Sequence, residues 1–409
     1  MPRLNRRDFL RLGALGMAAP FILDPLTGFE ALAAGTATPS PSPLPPATKS
    51  MRGLFALMKP NDDAIPDELL SSPSVTGITL QIDWATLQPA PTVVAWDVIE
   101  GALTRVKAAK KVLALRPLAG VGSPAWLYDK SVGAKKYSFE PASDIYHPLP
   151  YGTPVTLPLP WDAAMLKAWM IFVQTLGNQY DNNPDLVRVA VSGPMFEAAE
   201  TYLPHSPNVV AGWAEAGYSL SKISDVWQTT LDTYALAFKK TPFTLDLNPL
   251  PDPVDKKGDT LNGVVPVAIG QYGIKRFPGR FFVAQSDLSD IYPYLPSPIP
   301  GPAKPPALYE NYEKQALKIY DYLVGVGKTW PVGFTASESH MSHADNRIVA
   351  LIERAKALNA AYLEVPATWL TDPANAEAFK DPIVKASSAT PPPTNTPAAK
   401  PTPTPNTVG

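Results

Sequence analysis

Eight short apolar runs, rich in β-branched and aromatic residues, recur between positions 51 and 384, and turn-forming residues bound each one. They fall at 53–58, 75–84 (VTGITLQIDW), 112–118 (VLALRPL), from 187 (VRVAV), 243–247 (FTLDL), 280–285 (RFFVAQ), 331–336 (PVGFTA) and 361–365 (AYLEV). Runs this short without strict alternation are what strands buried on both faces look like. Six stretches between them, at 97–110, 162–180, 224–239, 264–272, 309–324 and 346–358, instead carry apolar residues at helical spacing. Asp97 reads as the N-cap of the first, with Glu100 placed to complete a capping box. Pro266 argues for a late start to the fourth. Strands alternating with helices predict an α/β fold, an eight-stranded parallel (β/α)8 barrel.

The long loops follow strands rather than precede them, so they collect at the C-terminal face, where barrels of this type place their chemistry. The stretch 187–204, VRVAVSGPMFEAAETYLP, organises that expectation: a strand, a turn at Ser192-Gly193-Pro194, then two carboxylates, Glu197 and Glu200. A third acid, Glu338, follows the seventh strand in a Ser-Glu-Ser-His run. Strands four and seven lie nearly opposite each other in an eight-stranded barrel, so acids on them can flank one ligand.

Composition narrows the classes. The 409 residues carry a formal net charge of −2, which gives no support for nucleic-acid binding. There is no cysteine, so disulfides, thiolate catalysis and cysteine-ligated metals are excluded. Neither a phosphate-binding glycine loop nor a G-x-S-x-G nucleophile elbow is present, and no cofactor is expected. The N-terminal residues 1–34 contain Asn5-Arg6-Arg7-Asp8-Phe9-Leu10, an apolar run from Leu12 to Leu23, and Ala31-Leu32-Ala33-Ala34. This resembles a twin-arginine export signal, which implies the twin-arginine translocase as a partner and an extracellular or envelope location in a bacterium or archaeon. The apolar run is short for a membrane span, and no other segment suits one. Thr, Ser and Pro dominate 35–50 and 385–409, which read as a linker and an extended tail around a single folded unit at 51–384.

Within that unit, Ile82-Asp83-Trp84-Ala85-Thr86-Leu87-Gln88-Pro89 and Gly122-Ser123-Pro124-Ala125-Trp126-Leu127 resemble the clan A barrel glycosidases, of the family 42 β-galactosidase type and related cellulase-like barrels. The resemblance implies a retaining mechanism on an oligo- or polysaccharide, with an acid/base after strand four and a nucleophile after strand seven. By position these fall on Glu200, or alternatively Glu197, and on Glu338. The sequence departs from the clan in one respect. Its members carry Asn-Glu at the very end of strand four, whereas here the acids come later, in a loop.

Glycoside hydrolysis needs one carboxylic acid to protonate the leaving oxygen and one carboxylate on the opposite face. Trp84, Trp126, Trp161 and Trp369 lie near strand ends, where an indole can stack on a sugar face or pack in the core. Arg116 can hold a catalytic carboxylate ionised or neutralise a barrel acid. Glu364 can contact substrate or pair with Arg116. His340 stands beside Glu338 as a substrate contact, and His340 and His343 form an H-x-x-H spacing without a clear third metal ligand. Two other readings stay open: a catalytically silent barrel that binds extracellular polysaccharide, kept alive by the displaced strand-four acid, and a metal-dependent barrel hydrolase.

Overall fold

The eight apolar runs form eight strands, named here β1 (Gly53–Leu57), β2 (Val75–Asp83), β3 (Val112–Leu118), β4 (Leu186–Ala190), β5 (Phe243–Asp246), β6 (Phe281–Leu288), β7 (Val332–Ala336) and β8 (Ala360–Pro366). The computed structural model describes residues 51–139, 154–205, 207–254, 261–290, 310–337, 341–342 and 344–380. The segments 1–34, 35–50 and 385–409, and with them the expected signal, linker and tail, lie outside the described residues. Each strand pairs in parallel with its neighbours in chain order, and β8 pairs with β1 to close the barrel. Closure leaves no sheet edge exposed. This is the (β/α)8 barrel that the alternation predicts.

The outward strand faces (Leu54, Ile78, Leu80, Leu115, Val283 and Leu363 among them) are fully buried beneath the surrounding helices. The inward faces differ. Small residues, Ala114, Ala284, Gly77 and Gly333, surround two rings, Phe55 and Tyr362. A Cβ at Gly77 would lie 2.6 Å from Phe55, and one at Gly333 would lie 1.9 Å from Tyr362. Each glycine therefore leaves the space its neighbour's ring fills. The two rings hold the Arg188 guanidinium between them, at 4.0 and 3.9 Å from the ring centres. A desolvated cation on an aromatic face stabilises by about 2 kcal/mol.

Helices α1 (Asp97–Ala108), α2 (Ala163–Tyr180), α3 (Leu220–Ala237), α4 (Val264–Arg276), α5 (Glu310–Gly327) and α6 (Arg347–Ala357) occupy the six periodic stretches. Two expected starts need correction. Asp97 is not the N-cap of α1: Trp96 is, without a side-chain cap, and Asp97 lies inside the first turn, where its charge meets the helix dipole. Helix α4 does not start late, because Pro266 falls in its first turn, where a missing N–H costs nothing. Asn262 Oδ1 there accepts from the amides of Val264 and Val265, at 2.8 and 3.0 Å. Asp162 does cap α2, accepting from the amides of Ala164 and Met165.

Candidate active site

Beyond Ala190 the chain leaves the barrel and then comes back to it. Gly193, at φ +134°, makes the exit turn over the Trp169 indole, whose Nε1 donates to Ser192 O at 2.7 Å. A side chain at Gly193 would meet that indole at 2.6 Å. The loop then abuts the one after β3, where Val121 N donates to Phe196 O at 2.9 Å. Gly120, at φ +57°, lies so close to Phe196 that a Cβ would come within 1.8 Å of its carbonyl oxygen.

The return is what places the acid. Ala190 pairs with Thr244 on β5, so in unbroken register position 192 would pair with Asp246. Glu200 makes that parallel bridge instead, and Thr201 N donates to Asp246 O at 3.0 Å. Residues 192–199 are thus an eight-residue excursion inserted into the end of β4. Glu200, late in sequence, stands at the strand-four end in space. Thr201 fastens the join: its Oγ1 donates to Asn248 O at 2.6 Å and accepts from Asn248 N at 2.7 Å.

Glu200 is buried, and its Oε2 accepts from Asn248 Nδ2 at 2.6 Å and from the Ser286 hydroxyl. Asn248 Nδ2 also donates to Ser286 Oγ at 2.7 Å, and Asn248 Oδ1 accepts from Gln285 Nε2 at 2.7 Å. Gln285 Oε1 in turn accepts from the Asp287 amide at 2.8 Å and from the Tyr320 hydroxyl of α5. Glu197, by contrast, is only partly buried on the excursion itself.

Below this level the barrel is crossed by ion pairs. Arg116 Nη2 donates to Asp246 Oδ2 at 3.0 Å, to Thr335 Oγ1 at 2.7 Å and to Glu364 Oε2. Arg188 Nη2 donates to Glu364 Oε1 and to Thr79 Oγ1, the latter at 3.1 Å. Thr79 and Thr335 also donate to Glu364, at 2.7 and 2.9 Å. Burial alone would push the Glu364 carboxyl up, but Arg116, Arg188 and these donors outweigh it and hold it down at about 2. Asp246 goes the other way. Burial, reinforced by the Glu364 charge, raises its carboxyl against the pull of Arg116. Arg116 is held protonated despite its burial by Asp246 and Glu364.

Several expected substrate contacts turn out to be packing or internal pairing. Glu364 is 0% exposed and Arg116 4%, and each is committed to the other inside the barrel. Of the two readings for each residue, the structure shows the ion pair. Trp84, expected at the saccharide site, is 0% exposed and packs edge-on against Trp126 and Trp169 and beside Phe172. Its Nε1 is taken by Gln88 Oε1. The reason is local: Trp84 opens a short helix, Trp84–Leu87, that turns it away from the mouth into the layer between strand and helix. Trp126 keeps part of its surface exposed, with its Nε1 on Gln88 O. Glu338, His340 and His343 lie outside the described residues. Ser337, immediately before Glu338, is anchored by its amide to Leu288 O at 2.9 Å. Among the described residues, no cluster of three His, Asp or Glu could hold a metal, and no helix is long and apolar enough to cross a membrane.

Sequence reading missed Asn248, Ser286, Gln285, Arg188 and Asp246. A signal was present for the last two, since a charge inside an otherwise apolar strand run needs a buried partner. It also missed the hairpin Lys136–Phe139 with Val155–Pro158 in the loop after β3. That hairpin stacks Tyr137 on Trp213 at 4.0 Å and sets Phe139 against Phe196 on the excursion.

No protein-family model and no curated protein matches the sequence. Solved structures do resemble the fold. The catalytic domain of a β-amylase from Paenibacillus polymyxa superposes with a TM-score of 0.51 at 8% identity, over 80% of this chain and 96% of that one. A β-galactosidase from the psychrophilic Marinomonas ef1 superposes with a TM-score of 0.49 at 10% identity, over 80% of this chain but 58% of that one. At such identities the likeness is one of fold.

Proposed function

We propose that this chain is an exported retaining glycoside hydrolase acting on an oligo- or polysaccharide, with Glu200 as acid/base and Glu338 as nucleophile. The observation that carries the reading is the return of Glu200 to the strand-four register beside Asp246, at the C-terminal mouth. Glu338 comes two residues after β7 in the chain, and β7 lies across the barrel from β4. In the first step a Glu338 oxygen bonds to the anomeric carbon, the glycosidic C–O bond breaks, and the leaving oxygen takes the proton from Glu200. In the second step water gives a proton to Glu200, its oxygen attacks the anomeric carbon, and the ester to Glu338 breaks. Trp126 and His340 are the proposed saccharide contacts, and no cofactor takes part. The likeness to a β-amylase catalytic domain supports the reading only as a barrel of comparable course. The twin-arginine pattern in residues 1–34 supports export through the twin-arginine translocase.

The silent, polysaccharide-binding alternative drew its support from an acid displaced along the sequence. With Glu200 back at the strand end, that feature no longer favours it. The anomer first released from a hydrolysed oligosaccharide, followed by proton NMR before mutarotation, tests the mechanism. Retention of the anomeric configuration is expected, and inversion would reject Glu338 as a nucleophile.

A further inference from the structure

Hydrogen-bond polarity at Glu200 is set several residues away. A backbone N–H can only donate, so the Asp287 amide at 2.8 Å requires oxygen, not nitrogen, at that end of the Gln285 side chain. The Gln285 nitrogen must then face Asn248, which requires the Asn248 oxygen to face Gln285 at 2.7 Å. That leaves the Asn248 nitrogen to face Glu200 Oε2, at 2.6 Å, and Ser286 Oγ, at 2.7 Å. Ser286 accepts from Asn248 and directs its hydroxyl proton at Glu200 Oε2 as well. Glu200, Asn248 and Gln285 are buried and Ser286 is partly so, and reversing either amide would set oxygen against oxygen.

We infer that Gln285 and Asn248 are positioning residues that lock Glu200 Oε2 as an acceptor, so that a proton carried by Glu200 sits on Oε1 alone. This rests on Glu200 being the acid/base of the proposed function and deepens it. The proton is offered from one defined oxygen, and the chain makes no demand on the ionised form. Loosening the lock would allow a second protonated arrangement, with the proton on Oε2 and Asn248 turned round, and so would favour the protonated carboxyl.

The test is a carbon-13 NMR titration of the full chain labelled at the glutamate carboxyl carbon, with the Glu200 signal assigned by its loss in Glu200→Gln. In Gln285→Met, which removes the donor without adding charge, the Glu200 midpoint is expected to rise by about half a pH unit, roughly threefold in the ionisation constant. In Gln285→Glu, whose ionised carboxylate can only accept and turns Asn248 round, the rise should reach about tenfold or more. Tyr320→Phe should leave the midpoint in place, because the Asp287 amide alone orients Gln285. An unmoved midpoint in folded Gln285→Met overturns the inference, as does an equal rise in Tyr320→Phe, which would mean general loosening. If Gln285→Met does not fold, the midpoint of Gln285→Ala, which likewise removes the donor without adding charge, decides in the same way. The titration needs no turnover, so the expected shifts without any glycosidase activity would leave the lock standing and remove the proposed function.

Discussion

Glu200→Gln is expected to cut turnover of glycosides with poor leaving groups by about 10³-fold, within the range that positioned proton transfer supplies. Nitrophenyl glycosides should suffer much less in the step that breaks the glycosidic bond, because a stable phenolate leaves without a proton. This dependence on the leaving group separates loss of the acid from simple damage to the fold, which would slow every substrate alike. Measured kcat/KM across a series of aryl and alkyl glycosides reads it directly. Equal losses across the series would mean that Glu200 is not the proton donor, and the same comparison on Glu197→Gln would then show whether the excursion's other acid fills that role.

The second large effect is on stability. Glu364→Leu removes the carboxylate that Arg116 and Arg188 share, leaving two buried guanidinium groups, of which Arg116 keeps its ion pair with Asp246. Breaking a buried pair by removing one partner costs about 3–5 kcal/mol, far more than the pair adds over a well-packed apolar replacement. A urea midpoint well below that of the parent is expected, and an unchanged midpoint would mean the network contributes nothing. The parent itself should show a matching pH dependence. Glu364 titrates lower in the fold, at about 2, than it does unfolded. Its contribution is therefore fully present above the ordinary carboxylate range and is lost as pH falls through that range toward about 2. Denaturation midpoints between pH 5 and pH 2 should fall in the parent more steeply than in Glu364→Leu.

The barrel was legible because strands buried on both faces must be short and apolar. The run 112–118 and β3 coincide residue for residue, and the other strands differ from their runs by a residue or a few at the ends. Helix starts were less legible, since they turn on single hydrogen bonds. Asn262 reaching past Gly263 to begin α4 leaves no periodic trace. The site was half legible. Two acids after strand four are visible in the sequence, but which of them meets β5 depends on a bridge between residues 46 apart in the chain, Glu200 and Asp246. Loop length alone suggested displacement, and register removes it. Trp84 failed as a ligand contact for a related reason, because a strand end followed by a helical turn points a side chain inward as readily as outward. For Arg116 and Glu364, the sequence offered the pair as one of two readings, yet the pairing itself, across the barrel, is a property of closure rather than of either strand.

These levels join at one place. Closure brings β4, β5 and β6 together, the excursion returns Glu200 to their common end, and Asn248 and Ser286 hold its carboxylate there. The reading of function then requires a partner acid across the mouth at Glu338. The measurement that tests it most directly is turnover of a panel of chromogenic β-glycosides by the purified full chain, with Glu338→Gln alongside. Hydrolysis by the parent that collapses in Glu338→Gln is the predicted result. No hydrolysis by the parent, with saccharide binding intact in both proteins, would contradict the account and leave a barrel that binds sugar without cleaving it.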